Sequence, residues 1–196
     1  NVENAKAALK QYGMVDLAAK LKYEIKIYKV NYKTLFEGDS IIVSGLIAAP
    51  DALEKGEEFP ILSYQHGTLF EKSQAPSVNI NGEFMTFLAS TGMVIVMADY
   101  IGFGASSADF HPFMHNQYTV NAVLDMIRAS KEFVATEKPC KVNDHLFMFG
   151  YSQGGSATLG SVSAIENNNA NSDLNVTAAV CGAGAYNLIE LRKWIV

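Results

Sequence analysis

The feature that most constrains this sequence is a serine between two glycines, where an apolar run meets a stretch of small residues. The segment reads FMFGYSQGG over residues 147–155, so Gly150, Ser152 and Gly154 have the spacing G-x-S-x-G. A chain that leaves a buried strand, turns sharply and enters a helix needs residues without bulk on both sides of the turn. The segment therefore predicts a strand, a tight turn that exposes a serine hydroxyl, and a helix.

Ser152 is a candidate nucleophile because of the turn on which it lies. The N-terminus of the following helix would present free N–H groups to any anion formed there. In acyl-transfer enzymes of this shape, the residue after the serine and the loop after the third strand each supply one N–H to the oxyanion. We therefore predict the backbone N–H groups of Gln153 and Thr68 as oxyanion donors. The residues predicted to support the turn and the loop are Gly150, Gly154, His66 and Gly67.

Predicted strands and helices alternate along the rest of the chain. Residues 23–34 and 40–49, separated by a Glu-Gly-Asp turn, predict an antiparallel hairpin at a sheet edge. Apolar runs without clean alternation are typical of central parallel strands covered on both faces. They occur at residues 59–65, 93–100, 145–151 and 176–185, and helical patterns at 4–21, 82–90, 118–137 and 153–167. This order predicts a doubly wound, mostly parallel α/β sheet in a single domain over residues 1–196.

Composition argues against several other classes of protein. The net charge of −5 and the lack of a basic cluster argue against nucleic-acid binding. No apolar run approaches the roughly 20 residues that a membrane-spanning helix needs. No signal peptide is recognised, and a first residue other than Met is what we expect of a processed or shortened chain. The two cysteines, Cys140 and Cys181, form no disulfide framework, although a bridge between them stays an open alternative.

With these motifs in place, the sequence resembles the α/β-hydrolase superfamily. The likeness is carried by HG at 66–67, ADYIGFGAS at 98–106, HPFMHNQYTVNAVLDMIRA at 111–129 and GYSQGG at 150–155. Within the superfamily the chain is similar to the secretory lipase and esterase branch. The resemblance implies hydrolysis of small-molecule or lipid carboxylic esters without a cofactor or metal, in a secreted or periplasmic protein. It also implies a triad of Ser, Asp or Glu, and His in that order, and a lid for which residues 187–196 are the candidate start.

The base histidine that the resemblance requires does not follow Ser152 in the sequence. His145 opens the strand that ends at the serine, and seven residues at about 3.3 Å each place it about 23 Å away. His111 and His115 lie in a loop on the catalytic side, so either is an alternative base. Pro112 argues against a metal site at these two histidines, because it disturbs the helical spacing that would align their rings.

Two interpretations of the absent histidine remain open. In the first, the chain is a hydrolase domain shortened before its last two strands, and the remaining C-terminal part of the same protein supplies the acid and the histidine. In the second, the chain is a complete binding protein that keeps the fold without catalysis. A serine peptidase or an acyltransferase on the same fold is a further alternative. We favour the first, because a strained turn that only exposes a hydroxyl has no use in a binding protein.

Overall fold

The computed structural model describes residues 2–195 and contains a mixed sheet of six strands. The strands are β1 (Ile25–Phe36), β2 (Asp39–Pro50), β3 (Glu58–Gln65), β4 (Val94–Ala98), β5 (Lys141–Tyr151) and β6 (Val176–Gly182). Their order across the sheet is β1-β2-β4-β3-β5-β6. β2 runs antiparallel to both β1 and β4, and the other neighbours pair in parallel. The predicted α/β fold is confirmed, with the antiparallel hairpin at one edge.

The helices follow the sequence prediction with two corrections. They are α1 (Val2–Gln11), α2 (Val15–Lys20), α3 (Asn116–Glu137), α4 (Gln153–Asn167) and α5 (Leu188–Ile195). The single helix predicted over residues 4–21 is divided, because Gly13 has φ 74° and turns the chain. The helix predicted over 82–90 is instead 3₁₀, at Ile80–Gly82 and Phe84–Thr91. There the hydroxyls of Thr86 and Thr91 each donate to the carbonyl three residues earlier, which favours the tighter helix.

The core lies on both faces of the central strands. All five residues of β4 are buried. On one face, Val94 and Val96 of β4 pack with Val123 and Ile127 of α3. On the other, Ile95 and Met97 belong to a smaller cluster beneath the 3₁₀ helix Phe84–Thr91. Burial of each such side chain stabilises the fold by about 1.5–3 kcal/mol, so the sheet is a firm base for the loops at its carboxyl edge.

The sixth strand borders one edge of the described sheet. The parallel strand predicted within residues 176–185 is present as β6, which pairs with β5 and ends at Gly182. Within residues 2–195 most of its residues are exposed, and Val180 is 61% exposed. Coverage of this strand on both faces stays a prediction for the full-length protein. Residues 187–196 were the candidate start of a lid. Most of them form the helix α5 (Leu188–Ile195), and residue 196 lies outside the described residues.

Two smaller expectations concern the cysteines and the membrane. Cys140 and Cys181 are both free thiols, so the alternative of a bridge between them is wrong. Burial raises the pKa of Cys140 to about 11, which keeps the thiol protonated at neutral pH. Within residues 2–195, the helices are all too short or too polar to cross a bilayer.

Candidate active site

Ser152 lies on a strained turn between β5 and α4. Its backbone angles are φ 57° and ψ −122°, which a residue with a side chain seldom adopts. Such a conformation costs on the order of 1–3 kcal/mol and persists only where the surroundings enforce it. Here the Ser152 N–H donates to the carbonyl of Gly182 in β6 at 2.9 Å, and the residue is partly exposed. The sharp turn predicted from the sequence is therefore present.

The glycines around Ser152 are required by close backbone packing. A methyl group on Gly150 would lie 2.1 Å from the carbonyl oxygen of Gly154. One on Gly154 would lie 1.9 Å from the carbonyl oxygen of Gln65, at the end of β3. Gly155, which was not among the predicted site residues, is equally constrained, since its methyl would lie 2.3 Å from the oxygen of Gly182. The third glycine of the GYSQGG motif is the sequence feature that could have predicted this close packing.

The loop after β3 lies directly against this turn. A methyl group on Gly67 would be 3.4 Å from the carbonyl oxygen of Tyr151 and 3.8 Å from Cβ of Ser152. Thr68 is the next residue, and Gln153 is buried at the first position of α4. The first N–H groups of an α-helix have no partner within it, so the N–H of Gln153 is available to a ligand. The structure thus brings together the turn, Gln153 and the predicted oxyanion loop.

His66 is a buried part of that loop. Its Nδ1 lies 2.7 Å from the carbonyl oxygen of Gly67, and its Nε2 lies 3.2 Å from the carbonyl oxygen of Asp99. Its ring lies against Tyr100, with the centroids 4.0 Å apart, and the Tyr100 hydroxyl donates to the His66 carbonyl. Burial lowers the pKa of His66, despite the nearby carbonyls. Its contacts are those of a residue that fixes the loop.

Asp99 directly follows β4, is fully buried and connects three segments of the chain through hydrogen bonds. Its Oδ2 accepts hydrogen bonds of 2.5 Å from the hydroxyls of both Ser44 and Ser77, and its Oδ1 accepts from the Ser77 N–H at 2.8 Å. The same Ser44 hydroxyl accepts from the N–H of Ala105. Asp99 thus connects β2 with the loops after β3 and β4.

His111 contacts Gln153, the residue that follows Ser152. Its Nδ1 is 2.7 Å from the carbonyl oxygen of Ile101, and its Nε2 is 3.2 Å from the side-chain nitrogen of Gln153. The ring meets Phe103 edge-on, with the centroids 4.7 Å apart. Gly102, at φ 88°, allows this approach, because a methyl group there would lie 2.7 Å from the His111 backbone. Sequence reasoning placed His111 on the catalytic side but did not find its contact with Gln153.

The other two histidines are exposed and contact other residues. His115 is exposed and stacks on Tyr118, with the ring centroids 4.3 Å apart. His145 is exposed near the start of β5, where its Nδ1 is 3.3 Å from the Thr177 hydroxyl. Among the described residues no hydrogen bond joins a histidine ring to Ser152. Within the same residues, no cluster of three or more His, Cys, Asp and Glu side chains could hold a metal ion.

A cavity of about 480 Å³ opens beside Gln153. It lies between the first turns of α3 and α4 and the segment that leads into α5. Its apolar lining includes Met114, Leu159 and Leu188, and its polar lining includes Asn116 and Ser156. The Ser156 hydroxyl is buried without a hydrogen-bond partner. A mostly apolar recess with a few polar groups, next to a strained serine, has the character of a ligand site.

The fold and the turn at Ser152 define an α/β-hydrolase. The sequence model of the secretory lipase family matches residues 70–195, well over half of the chain. The chain therefore belongs to the secretory lipase family. A search of curated proteins finds no match.

Solved structures support this assignment. A candidate hydrolase from Legionella pneumophila is 32% identical, with a TM-score of 0.83 over 95% of this chain and 50% of its own. The rice cell wall degrading esterase LipA from Xanthomonas oryzae is 26% identical, with a TM-score of 0.77 over 86% of this chain and 44% of its own. Candida antarctica lipase A, at 17% identity and a TM-score of 0.54 over 82% of this chain and 41% of its own, shares the fold. The chain thus spans about half the length of these structures.

Proposed function

We propose that this chain supplies the nucleophile and the oxyanion hole of a serine hydrolase that cleaves carboxylic esters. The observation that carries the proposal is the strained backbone at Ser152, with φ 57° and ψ −122°, enforced by glycine packing on both sides. Strain at such a turn is characteristic of functional sites. The family match supports ester hydrolysis as the general class of activity.

In the proposed first step, Oγ of Ser152 attacks the ester carbonyl carbon while a base takes the hydroxyl proton. The carbonyl electron pair moves onto its oxygen, and the N–H groups of Gln153 and Thr68 stabilise that oxyanion. The intermediate then collapses and the C–O bond to the alcohol breaks, with the proton returning to the leaving alcohol. Water attacks the acyl-enzyme in the same way, which releases the acid and restores the serine.

We propose that the base and its acid partner come from outside these 196 residues, in the same protein. Both ring nitrogens of His66 and His111 have contacts of their own, and His115 and His145 are exposed and stack on Tyr118 and Phe147. The relatives of known structure are about twice as long as this chain, which supports a site completed by further sequence.

The cavity beside Gln153 is the proposed position of one half of the ester. Its lining suits an apolar group that carries some polar atoms. We propose a small-molecule or lipid ester as the substrate. We also propose that the protein is secreted, which the family name supports, with the periplasm as an alternative location. We propose no cofactor, because the acyl-transfer steps need only the groups named above.

A fluorophosphonate probe on the full-length protein tests the proposal. We expect an adduct whose mass maps to Ser152, no adduct in Ser152→Ala, and turnover of p-nitrophenyl esters far above that of aminoacyl amides. Faster turnover of the amides would point to a peptidase, and acyl transfer to an added alcohol in preference to water would point to an acyltransferase. A folded full-length protein without any adduct would be a binding protein with an inactive site.

A further inference from the structure

His111 is held in a setting that fixes both the orientation and the protonation of its ring. The carbonyl of Ile101 can only accept, so Nδ1, at 2.7 Å from it, carries the proton. In the neutral ring this leaves Nε2 as an acceptor, and the nitrogen that faces it at 3.2 Å is the amide donor of Gln153. Burial lowers the pKa of His111, which favours this neutral form at neutral pH.

Aromatic side chains and a close backbone contact hold the His111 ring in this position. Phe103 meets it edge-on at 4.7 Å between centroids, and Phe113 lies on another side at 6.0 Å. The backbone of His111 approaches Gly102 so closely that only glycine fits opposite it. The loop after β4 thus encloses His111 on several sides, and its ring reaches across to the first residue of α4.

The side-chain amide of Gln153 is buried and therefore requires a hydrogen-bond partner. It is 5% exposed, so its side-chain amide would be costly to leave without a hydrogen bond. Its backbone N–H is also the proposed oxyanion donor, which must stay within a few tenths of an ångström of its working position. A hydrogen bond that anchors the side chain therefore limits the motion of the donor itself.

We infer that His111 is a positioning residue, which accepts a hydrogen bond from the Gln153 side chain and so holds the Gln153 N–H in place for the oxyanion. The inference rests on the proposed ester hydrolysis at Ser152. It gives His111 a role other than that of the alternative base, because the Nε2 that a base would use is already occupied by the Gln153 amide.

Two amide variants at this position separate the two hydrogen bonds. His111→Asn keeps a donor near the position of Nδ1 and loses the acceptor for Gln153. His111→Gln places an acceptor near the position of Nε2 and so restores the bond to Gln153. In the full-length protein we expect kcat for p-nitrophenyl butyrate to fall about tenfold in His111→Asn with KM unchanged, and to fall less than about threefold in His111→Gln, because the lost interaction acts in the transition state.

A double-mutant cycle tests whether the effect passes through Gln153. Gln153→Met keeps the backbone N–H and removes the amide, so adding His111→Asn to it should cause no further loss of kcat. His145→Asn, an exposed histidine near the start of β5, is the matched control and should leave kcat unchanged. Equal losses for His111→Asn in the two backgrounds, or equal kcat for the wild type and His111→Asn, would overturn the inference while the proposed function stands.

Nitrogen NMR of the histidine rings gives a readout that does not depend on turnover. We expect His111 to carry its proton on Nδ1 at pH 7.5, and its Nε2 resonance to shift in Gln153→Met. A proton on Nε2 would overturn the inference. A wild-type protein that neither turns over esters nor binds the fluorophosphonate probe would instead remove the proposed function, and this inference with it.

Discussion

Around Ser152 the backbone is sharply bent and closely packed while the residue stays partly exposed, whereas the rings of His66 and His111 are enclosed among other groups. Ser152 has φ 57°, and methyl groups on the flanking glycines would lie about 2 Å from backbone oxygens. His66 lies between two carbonyls, and His111 lies between a carbonyl and an amide. In the proposed function, the first region presents the nucleophile, and the second uses ionisable rings to hold the neighbouring loops.

The difference shows that a residue type does not identify a catalytic role. Serine and histidine are both common catalytic residues, but Ser152 has a strained backbone and partial exposure, whereas none of the four histidines has a positive φ. The enclosed histidines instead stabilise the two loops that border the serine. A triad is defined by geometry, so the comparison predicts a large loss of activity for Ser152 and much smaller losses for the histidines.

The largest expected effect is that of Ser152→Ala, which should lower kcat/KM by about 10⁴-fold or more while the far-UV circular dichroism stays the same. The exposed His115 and His145, changed to Asn, should lower it by less than about threefold, because exposed substitutions have small effects. Steady-state ester hydrolysis by the full-length protein measures both. A histidine variant as inactive as Ser152→Ala would break the comparison, because that ring would then be the base.

Gly154→Ala tests whether close packing against glycine holds the turn at Ser152. Its methyl would lie 1.9 Å from the carbonyl oxygen of Gln65, so the backbone must move, and we expect a loss of about 3 kcal/mol or more in the free energy of unfolding. Gly67→Ala is the matched control at the same sheet edge, since its nearest contact would be an ordinary 3.4 Å. Urea unfolding should separate the two variants. Equal stability would show that the turn adapts and is not held by glycine.

Asp99→Asn tests whether the loops around the site depend on one buried carboxylate. The amide nitrogen would face donors from Ser44 or Ser77, so we expect a loss of about 2–3 kcal/mol in the free energy of unfolding. Asp109→Asn, at an exposed aspartate in the same loop between β4 and α3, should change the free energy of unfolding by less than about 0.5 kcal/mol. Unchanged stability of Asp99→Asn together with lost turnover would place Asp99 in the chemistry.

Sequence reasoning was most successful where a requirement is local. The turn at Ser152 was predictable, because the glycines that it needs lie within two residues of it. The 3₁₀ geometry of Phe84–Thr91 was not, since it depends on competing side-chain hydrogen bonds.

The same distinction applies to the site. Gln153 and the loop at His66 follow from the motif and its strand, and the structure brings them together. The contact between His111 and Gln153 joins residues 42 positions apart, and no periodicity or spacing encodes it. The Thr68 N–H stays a prediction until a bound oxyanion analogue is seen.

The smallest expected effect concerns the pH dependence of stability through His66. Burial holds the folded-state pKa of His66 below that of the unfolded chain, which is about 6.5. Above that pH its neutral ring adds stability, and the contribution is lost as the pH falls toward the folded-state pKa, because the unfolded state then binds the proton more readily. Each tenfold difference in proton affinity is worth about 1.4 kcal/mol.

Urea unfolding of the wild type and of His66→Gln at pH 7.5 and 5.5 measures this contribution. The wild type should lose more stability on acidification than His66→Gln does, and His145→Asn should behave as the wild type. The opposite sign is also informative, because the carbonyls of Gly67 and Asp99 both face the ring and would each accept a hydrogen bond from an imidazolium N–H. A wild type that gains stability on acidification relative to His66→Gln would therefore mean that His66 is charged in the folded state, and that a buried cation lies beside the oxyanion loop.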